Sequence, residues 1–169
     1  MKARQIALGG VLAALAVVFL MLGGLVPMAT YACPMLASIL LVPLREELPK
    51  PMCAGWYVIV SVLAILLCPD KETAFVFVFL GWYPLLKPTL DRLPGLPRIL
   101  VKLLVFLAAV AALYAVLIYA LGLEVLAEEA KNLGLAMVIA LAVLGCLTFL
   151  LFDLVLGRLT ILYRKRKKK

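Results

Sequence analysis

The sequence predicts an all-α, polytopic membrane protein, a bundle of about six transmembrane helices with both termini on the cytoplasmic side. Three observations predict it. Of the 169 residues 67% are apolar and only 15% charged, against about 45–50% and about 25% in a soluble domain. The apolar residues fall in six long runs, with prolines and charges gathered between them. Under that division the basic residues segregate to one side of the membrane. A soluble core of this size has no room for so much apolar surface, so lipid has to receive it.

Residues 1–163 read as a single transmembrane domain, and 164–169 as a basic cytoplasmic tail. The first run, 6–26, is interrupted only by glycine and is long enough to cross a hydrocarbon core of about 30 Å at about 1.5 Å per residue. A cleaved signal peptide is the other reading of this run. Its apolar stretch exceeds the usual h-region of about 7–15 residues, and Thr30-Tyr31-Ala32 before Cys33 makes a poor lipoprotein cleavage site. The second run, 29–44, carries Pro34 in its first turns and Pro43 at its exit, and the polar segment 45–51 then breaks the pattern. The third is 52–68, stopped by Pro69-Asp70. The fourth, 73–87, is short and can recruit Asp70 to Glu72 as its cap. Residues 88–97 read as a loop or surface turn. The fifth run is 99–121 and the sixth 133–157, separated by an acidic segment with Glu124, Glu128 and Glu129. Unbroken runs exclude a barrel, whose strands would alternate over about ten residues.

With the N-terminus inside, fifteen of the seventeen basic residues fall on cytoplasmic segments and only Lys71 and Lys131 fall outside. Asp70, Glu72, Glu124, Glu128 and Glu129 lie on the outer side. Both termini can be inside only for an even number of crossings, so charge supports the count independently of hydropathy. The net charge of +8 is therefore an orientation signal, and the tail is a patch for anionic headgroups rather than for nucleic acid. The expected location is the plasma or inner membrane, crossed several times.

Chemistry-bearing residues are few. Histidine is absent, and Cys33, Cys53, Cys68 and Cys146 show no CxxC spacing, so neither metal nor cofactor is expected. The cysteines read as small buried apolar residues. Cys33 and Cys68 do share the outer side of neighbouring helices, where a disulfide is open to them. No nucleophile–base pair, HExxH or phosphate-cradling loop occurs, so no catalytic residue is assigned and an enzyme is not expected. Lys102 and Asp153 lie inside apolar runs, each about one turn from the inner end, where they can snorkel or pair across the fifth and sixth helices. Trp56 with Tyr57, and Trp82 with Tyr83, read as interfacial anchors.

The outer side holds the candidate binding cluster: Asp70, Lys71 and Glu72 at the start of the fourth run, Tyr31, Tyr119, and Phe75 just below. An apolar pocket with a few polar groups is how small-molecule sites are built. The first run also carries small residues at helical spacing, Ala3 with Ala7, Gly9 with Ala13 and Gly10 with Ala14, which permit close helix approach within the bundle or against another subunit. In the fifth run Ala108 with Ala112, and Ala111 with Ala115, are expected to pack internally.

The basic start Met1-Lys2-Ala3-Arg4, the alanine-rich stretch up to Ala16, the short first outer loop and the six-helix plan resemble the substrate-binding S components of energy-coupling-factor vitamin transporters. The resemblance covers the whole chain in plan and the first helix in motif. It implies a subunit that captures a vitamin-like small molecule from outside and docks on a transmembrane coupling subunit driven by paired ATPases. In that family a small-residue stripe on the first helix makes the docking face, which Ala3, Ala7, Gly10 and Ala14 match in spacing. The family's site implies 28–31, Asp70 to Glu72, Phe75 and Tyr119 here, but no substrate signature is present. The alternative expectation is a non-catalytic membrane scaffold or assembly subunit of the cell envelope.

Overall fold

The structure, a computed structural model, describes residues 3–26, 29–92, 94–119 and 135–167. Its elements are α1 Ala3–Leu25, α2 Ala32–Ile39, α3 Leu41–Glu47, α4 Lys50–Leu67, α5 Lys71–Leu80, α6 Tyr83–Leu90, α7 Gly95–Tyr119 and α8 Leu135–Lys167. No strand occurs among the described residues. Five segments are long and apolar enough to cross a membrane: Ala3–Leu25, Lys50–Leu67, Lys71–Leu90, Pro97–Val116 and Ala142–Arg166. The segment Ala32 to Glu47 rises only about 24 Å.

Two of the six expected helices are each broken in two, and proline explains both breaks. Proline has no N–H, and its ring crowds the carbonyl four residues earlier. Pro43 addresses Ile39, and the helix breaks at Leu40, whose N–H turns to the carbonyl of Ala37 at 3.2 Å. Pro84 addresses Leu80, and the second break falls at Gly81-Trp82. Neither proline ends its segment. The helix after Pro43 runs on to Glu47, so Arg45, Glu46 and Glu47 are helical rather than a polar interruption. The helix after Pro84 continues through Pro88 to Leu90, so 88–97 shrinks from a long loop to a short turn before Gly95. Pro88 in turn deprives Pro84 of a donor, and the Arg45 guanidinium supplies one to the Pro84 carbonyl at 2.7 Å.

The elements pair as hairpins. α1 packs on α2, α4 on α5, and the two broken helices lie side by side, α2 against α5 and α3 against α6. The largest core joins Ala16 and Leu20 of α1, Leu41 and Leu44 of α3, Trp56 and Val60 of α4 and Phe77 of α5. A second core joins Val42, Tyr83, Phe106, Phe149 and Leu156, and thereby attaches α7 and α8. The opposite faces are apolar and exposed, with Val11, Val18, Leu104, Leu107, Leu147 and Leu151 among them, as a lipid boundary requires.

One member of each aromatic pair, Trp56 and Tyr83, is buried within the bundle, while Tyr57 and Trp82 are half-buried. Trp56 is buried and donates to the Gly9 carbonyl at 2.9 Å, bridging α4 to α1. The Tyr57 hydroxyl donates to the Val78 carbonyl, and Tyr83 is buried. Ala108, Ala111, Ala112 and Ala115, expected to pack internally, are exposed on α7. α8 remains helical to Lys167, through most of the expected tail.

Gly81 is where close packing needs the missing side chain. A Cβ there would lie 2.5 Å from the Phe77 carbonyl oxygen and 2.9 Å from its ring, whereas one on Gly10 would meet nothing within 4 Å. Gly81→Ala is expected to destabilise the folded protein in detergent by about 1–3 kcal/mol. Gly10→Ala is expected to be neutral or stabilising by up to about 1 kcal/mol. Denaturant titration of the two variants beside the parent checks this.

Candidate functional site

The candidate residues at the start of the fourth run divide by role. Asp70 is the N-cap of α5. Its carboxylate accepts from the backbone N–H of Glu72 at 3.0 Å and of Thr73 at 3.1 Å, and from the Thr73 hydroxyl at 2.6 Å. Lys71 turns back onto the end of α4, donating to the carbonyls of Ile65 at 2.8 Å and Cys68 at 3.3 Å. Both charges therefore serve helix ends. Glu72 alone of the three reaches across the bundle, accepting from the Tyr31 hydroxyl at 2.6 Å. The Tyr31 oxygen lies 3.0 Å from that of Tyr114. Because Tyr31 spends its proton on Glu72, Tyr114 is the donor in that second bond.

This triad closes one end of a seam between α2, α5 and α7. Just below it Val76 and Leu113 are buried, with Phe75, Phe79 and Tyr114 packed around them. Tyr114, not Tyr119, thus brings α7 to the cluster. Tyr119 ends α7, and its side chain, like Met28, Glu124, Glu128 and Asn132, lies outside the described residues. Tyr114 was legible as a tyrosine about one and a half turns before Tyr119, but which of the two faces α2 depends on the helix's rotation.

Lower in the seam, at the level of the breaks, lies a narrow apolar pocket lined by Ser38, Leu80, Gly81, Phe106, Phe149 and Phe152 among others, with room for no more than about one water-sized group. Its aromatic wall is tightly packed: Phe106 stacks on Phe149 with centroids 4.6 Å apart, and Tyr83 meets Phe149 edge-on at 4.8 Å. Ser38 donates to the Met35 carbonyl at 2.7 Å.

Beneath the pocket is a buried ionic cluster. Asp153 of α8 accepts from the Tyr83 hydroxyl at 2.6 Å, from Lys102 at 2.8 Å and from Lys87. Lys102 also reaches Asp91 at 2.5 Å, and Lys87 lies 3.5 Å from the same carboxylate. Lys87 and Lys102 are only 7% and 3% exposed, while the Asp91 side chain is 39% exposed. The pairing of Lys102 with Asp153 fits the expectation from their depth. Lys87, Asp91 and Tyr83 were not anticipated as partners: the continuation of α6 through Pro88 carries Asp91 to the cluster, while the inward facing of Tyr83 and Lys87 on the expected fourth run depends on helix rotation. Two cations and two carboxylates balance, as burial at this depth demands.

The same end of the bundle is tied together by α3. Glu46 takes a two-pronged contact from Arg164 of α8, at 2.9 and 3.0 Å, and Tyr163 donates to Glu47 at 3.3 Å. Gln5 of α1 donates to the Glu47 carbonyl at 3.0 Å. Segment 31–47 thus meets the other helices at both ends of the bundle, through Tyr31 at one and Arg45 to Glu47 at the other.

The expected docking stripe faces outward. Ala3, Ala7, Gly10 and Ala14 are all exposed, while Ala16, Leu20 and Gly23 turn inward. Cys33, Cys53, Cys68 and Cys146 are free thiols. Among the described residues no group of three or more His, Cys, Asp or Glu could hold a metal ion. Comparison of the chain with known protein families, curated proteins and solved structures finds no match.

Removing Asp153 leaves two buried ammonium groups facing one half-exposed carboxylate. Asp153→Asn is expected to cost about 3–5 kcal/mol of stability, and adding Lys102→Met is expected to recover part of it. A double-mutant cycle by denaturant unfolding in detergent reads the coupling directly. The Arg164 hydrogen bond holds the Glu46 carboxyl below its ordinary range. A depressed pKa in the folded state stabilises at neutral pH and loses that effect as pH falls through and below about 4.3. The stability difference between parent and Glu46→Gln is therefore expected to be within about 1 kcal/mol at pH 7 and to shrink as pH falls below about 4.3.

Proposed function

We propose that this chain is a small-molecule-binding subunit of a multi-subunit membrane transporter, an S component of the energy-coupling-factor type, which takes its substrate at the outer face. The observation that carries the reading is the uncovered stripe on α1: the helix turns Ala16, Leu20 and Gly23 inward and presents Ala3, Ala7, Gly10 and Ala14 to its surroundings. Without hydrophobic drive between helices in lipid, such small residues are where a second backbone can approach closely. The Tyr31–Glu72–Tyr114 cluster, with Phe75 nearby, supplies polar and aromatic groups at the outer end for a nutrient-sized ligand.

The topology this reading requires is six crossings with both ends in the cytoplasm of the plasma or inner membrane. Segment 31–47 supports the sixth, since it runs from the Tyr31 end to the Arg164 end although it is short and broken. A scaffold of the cell envelope is the competing reading, favoured by the tight packing of the seam, whose pocket has so little room.

Purification in mild detergent separates the two. The parent is expected to carry a transmembrane coupling subunit, an ATPase pair and a bound small molecule, identified by mass spectrometry. Ala7→Leu with Gly10→Leu is expected to lower partner recovery at least about tenfold while leaving the monomer folded. Recovery of the parent with neither partners nor small molecule overturns the transport reading.

A further inference from the structure

The inner end of the bundle carries more positive charge than it can pair. Four carboxylates belong to that end, Glu46, Glu47, Asp91 and Asp153, and each already has a partner. Lys87 and Lys102 hold Asp91 and Asp153, Arg45 and Arg164 hold Glu46, and the Tyr163 hydroxyl donates to Glu47. Arg92, Arg98 and Arg158 are exposed and enter none of the ion pairs formed among the described residues. All three flank the ionic cluster. Arg92 follows Asp91, and Arg98 lies one turn before Lys102 on α7. Arg158 follows Gly157, which is one turn past Asp153 and where an added Cβ would come within 3.7 Å of the Lys87 side chain. The charges inside the cluster cancel, so these guanidiniums set the sign of the surface around it. Their setting is otherwise apolar. Along α8 the exposed residues Leu147, Leu151, Leu154, Arg158 and Leu162 recur at spacings of three and four, so Arg158 interrupts a lipid-facing stripe that continues on both sides of it. On α7 Arg98 is followed directly by exposed Ile99 and Leu100.

We propose that Arg92, Arg98 and Arg158 form a binding site for an anionic phospholipid, its phosphate held by the guanidiniums and its acyl chains lying along the exposed leucines of α7 and α8. A cation on a lipid-facing helix needs an anion at its own depth, and the headgroup phosphate is the anion that a bilayer supplies there. The planar guanidinium fork matches a phosphate through paired hydrogen bonds. A zwitterionic lipid brings an ammonium beside its phosphate, and that ammonium would meet the same cations. A glycerol headgroup brings none, so the site selects lipids of net negative charge. The proposed topology turns this end towards the cytoplasmic leaflet, where anionic lipids gather. Lys165 and Arg166, further along α8, attract an anionic surface in general, but they lie beyond the apolar stripe and away from the ionic cluster. The site needs only that the chain crosses a bilayer, so it stands apart from the transport reading and its partners.

The test is native mass spectrometry of the delipidated full chain in detergent, titrated with phosphatidylglycerol or phosphatidylethanolamine. The parent is expected to bind phosphatidylglycerol at least about tenfold more tightly than phosphatidylethanolamine. Arg92→Gln, Arg98→Gln and Arg158→Gln together are expected to weaken phosphatidylglycerol binding at least about tenfold. These side chains are exposed and unpaired, so the variant keeps its fold. Lys165→Gln, Arg166→Gln and Lys167→Gln remove the same number of charges and are expected to change the affinity less than about threefold. Inorganic phosphate at millimolar concentration is expected to displace no lipid. Equal binding of the two lipids, or an equal loss in the tail variant, overturns the site and leaves only general attraction to an anionic surface. Displacement by inorganic phosphate overturns the lipid as its occupant.

Discussion

A proline in the middle of an apolar helix withdraws a backbone donor that lipid cannot replace, and this protein does so twice, at Pro43 and Pro84. The consequences organise the bundle. Each break must be covered by protein, which places the two broken helices side by side and packs α7 and α8 against them. Pro88 adds a third missing donor, and Arg45 of one broken helix answers it at the Pro84 carbonyl of the other. The aromatic pocket and the ionic cluster then occupy the levels at and below the breaks.

Burial of charge follows from the same geometry. α6 carries Lys87 and, by continuing past Pro88, Asp91 to Lys102 and Asp153, where four charges balance and Tyr83 completes the Asp153 shell. Hydrophobic association contributes little between helices that both face lipid, so this cluster, the Glu46–Arg164 contact and the Tyr163–Glu47 bond fasten α8. At the opposite end the polar residues are shared out differently. Asp70 and Lys71 stabilise helix ends, and Glu72 alone is left to link helices through the two tyrosines.

The helical class and most of the apolar segments were legible because composition and run length are nearly sufficient for them. The pairing of Lys102 with Asp153 was legible from depth alone. The breaks were not anticipated, since proline near a helix end and proline just past a kink read alike in one dimension. A signal was present nonetheless. Pro27 precedes Pro43-Leu44 by 16 residues and Pro69 precedes Pro84-Leu85 by 15, and each pair is followed by a Leu-Pro, at Leu48-Pro49 and Leu93-Pro94. In both places the second proline falls at a helix break. The choice of Tyr114 over Tyr119, and the interior positions of Trp56 and Tyr83, depend on helix rotation, which hydropathy does not encode. The outward face of the α1 stripe depends on it equally.

Whether segment 31–47 counts as a full crossing decides the topology, and with it which side each end of the seam faces. The most direct measurement is the side of the membrane on which the two termini lie, read by protease protection of terminal epitope tags in right-side-out vesicles. Both tags protected, and cleaved only after the vesicles are opened, is the result that six crossings with cytoplasmic ends predict. One tag cleaved and the other protected would mean an odd number of crossings and would contradict the assignment.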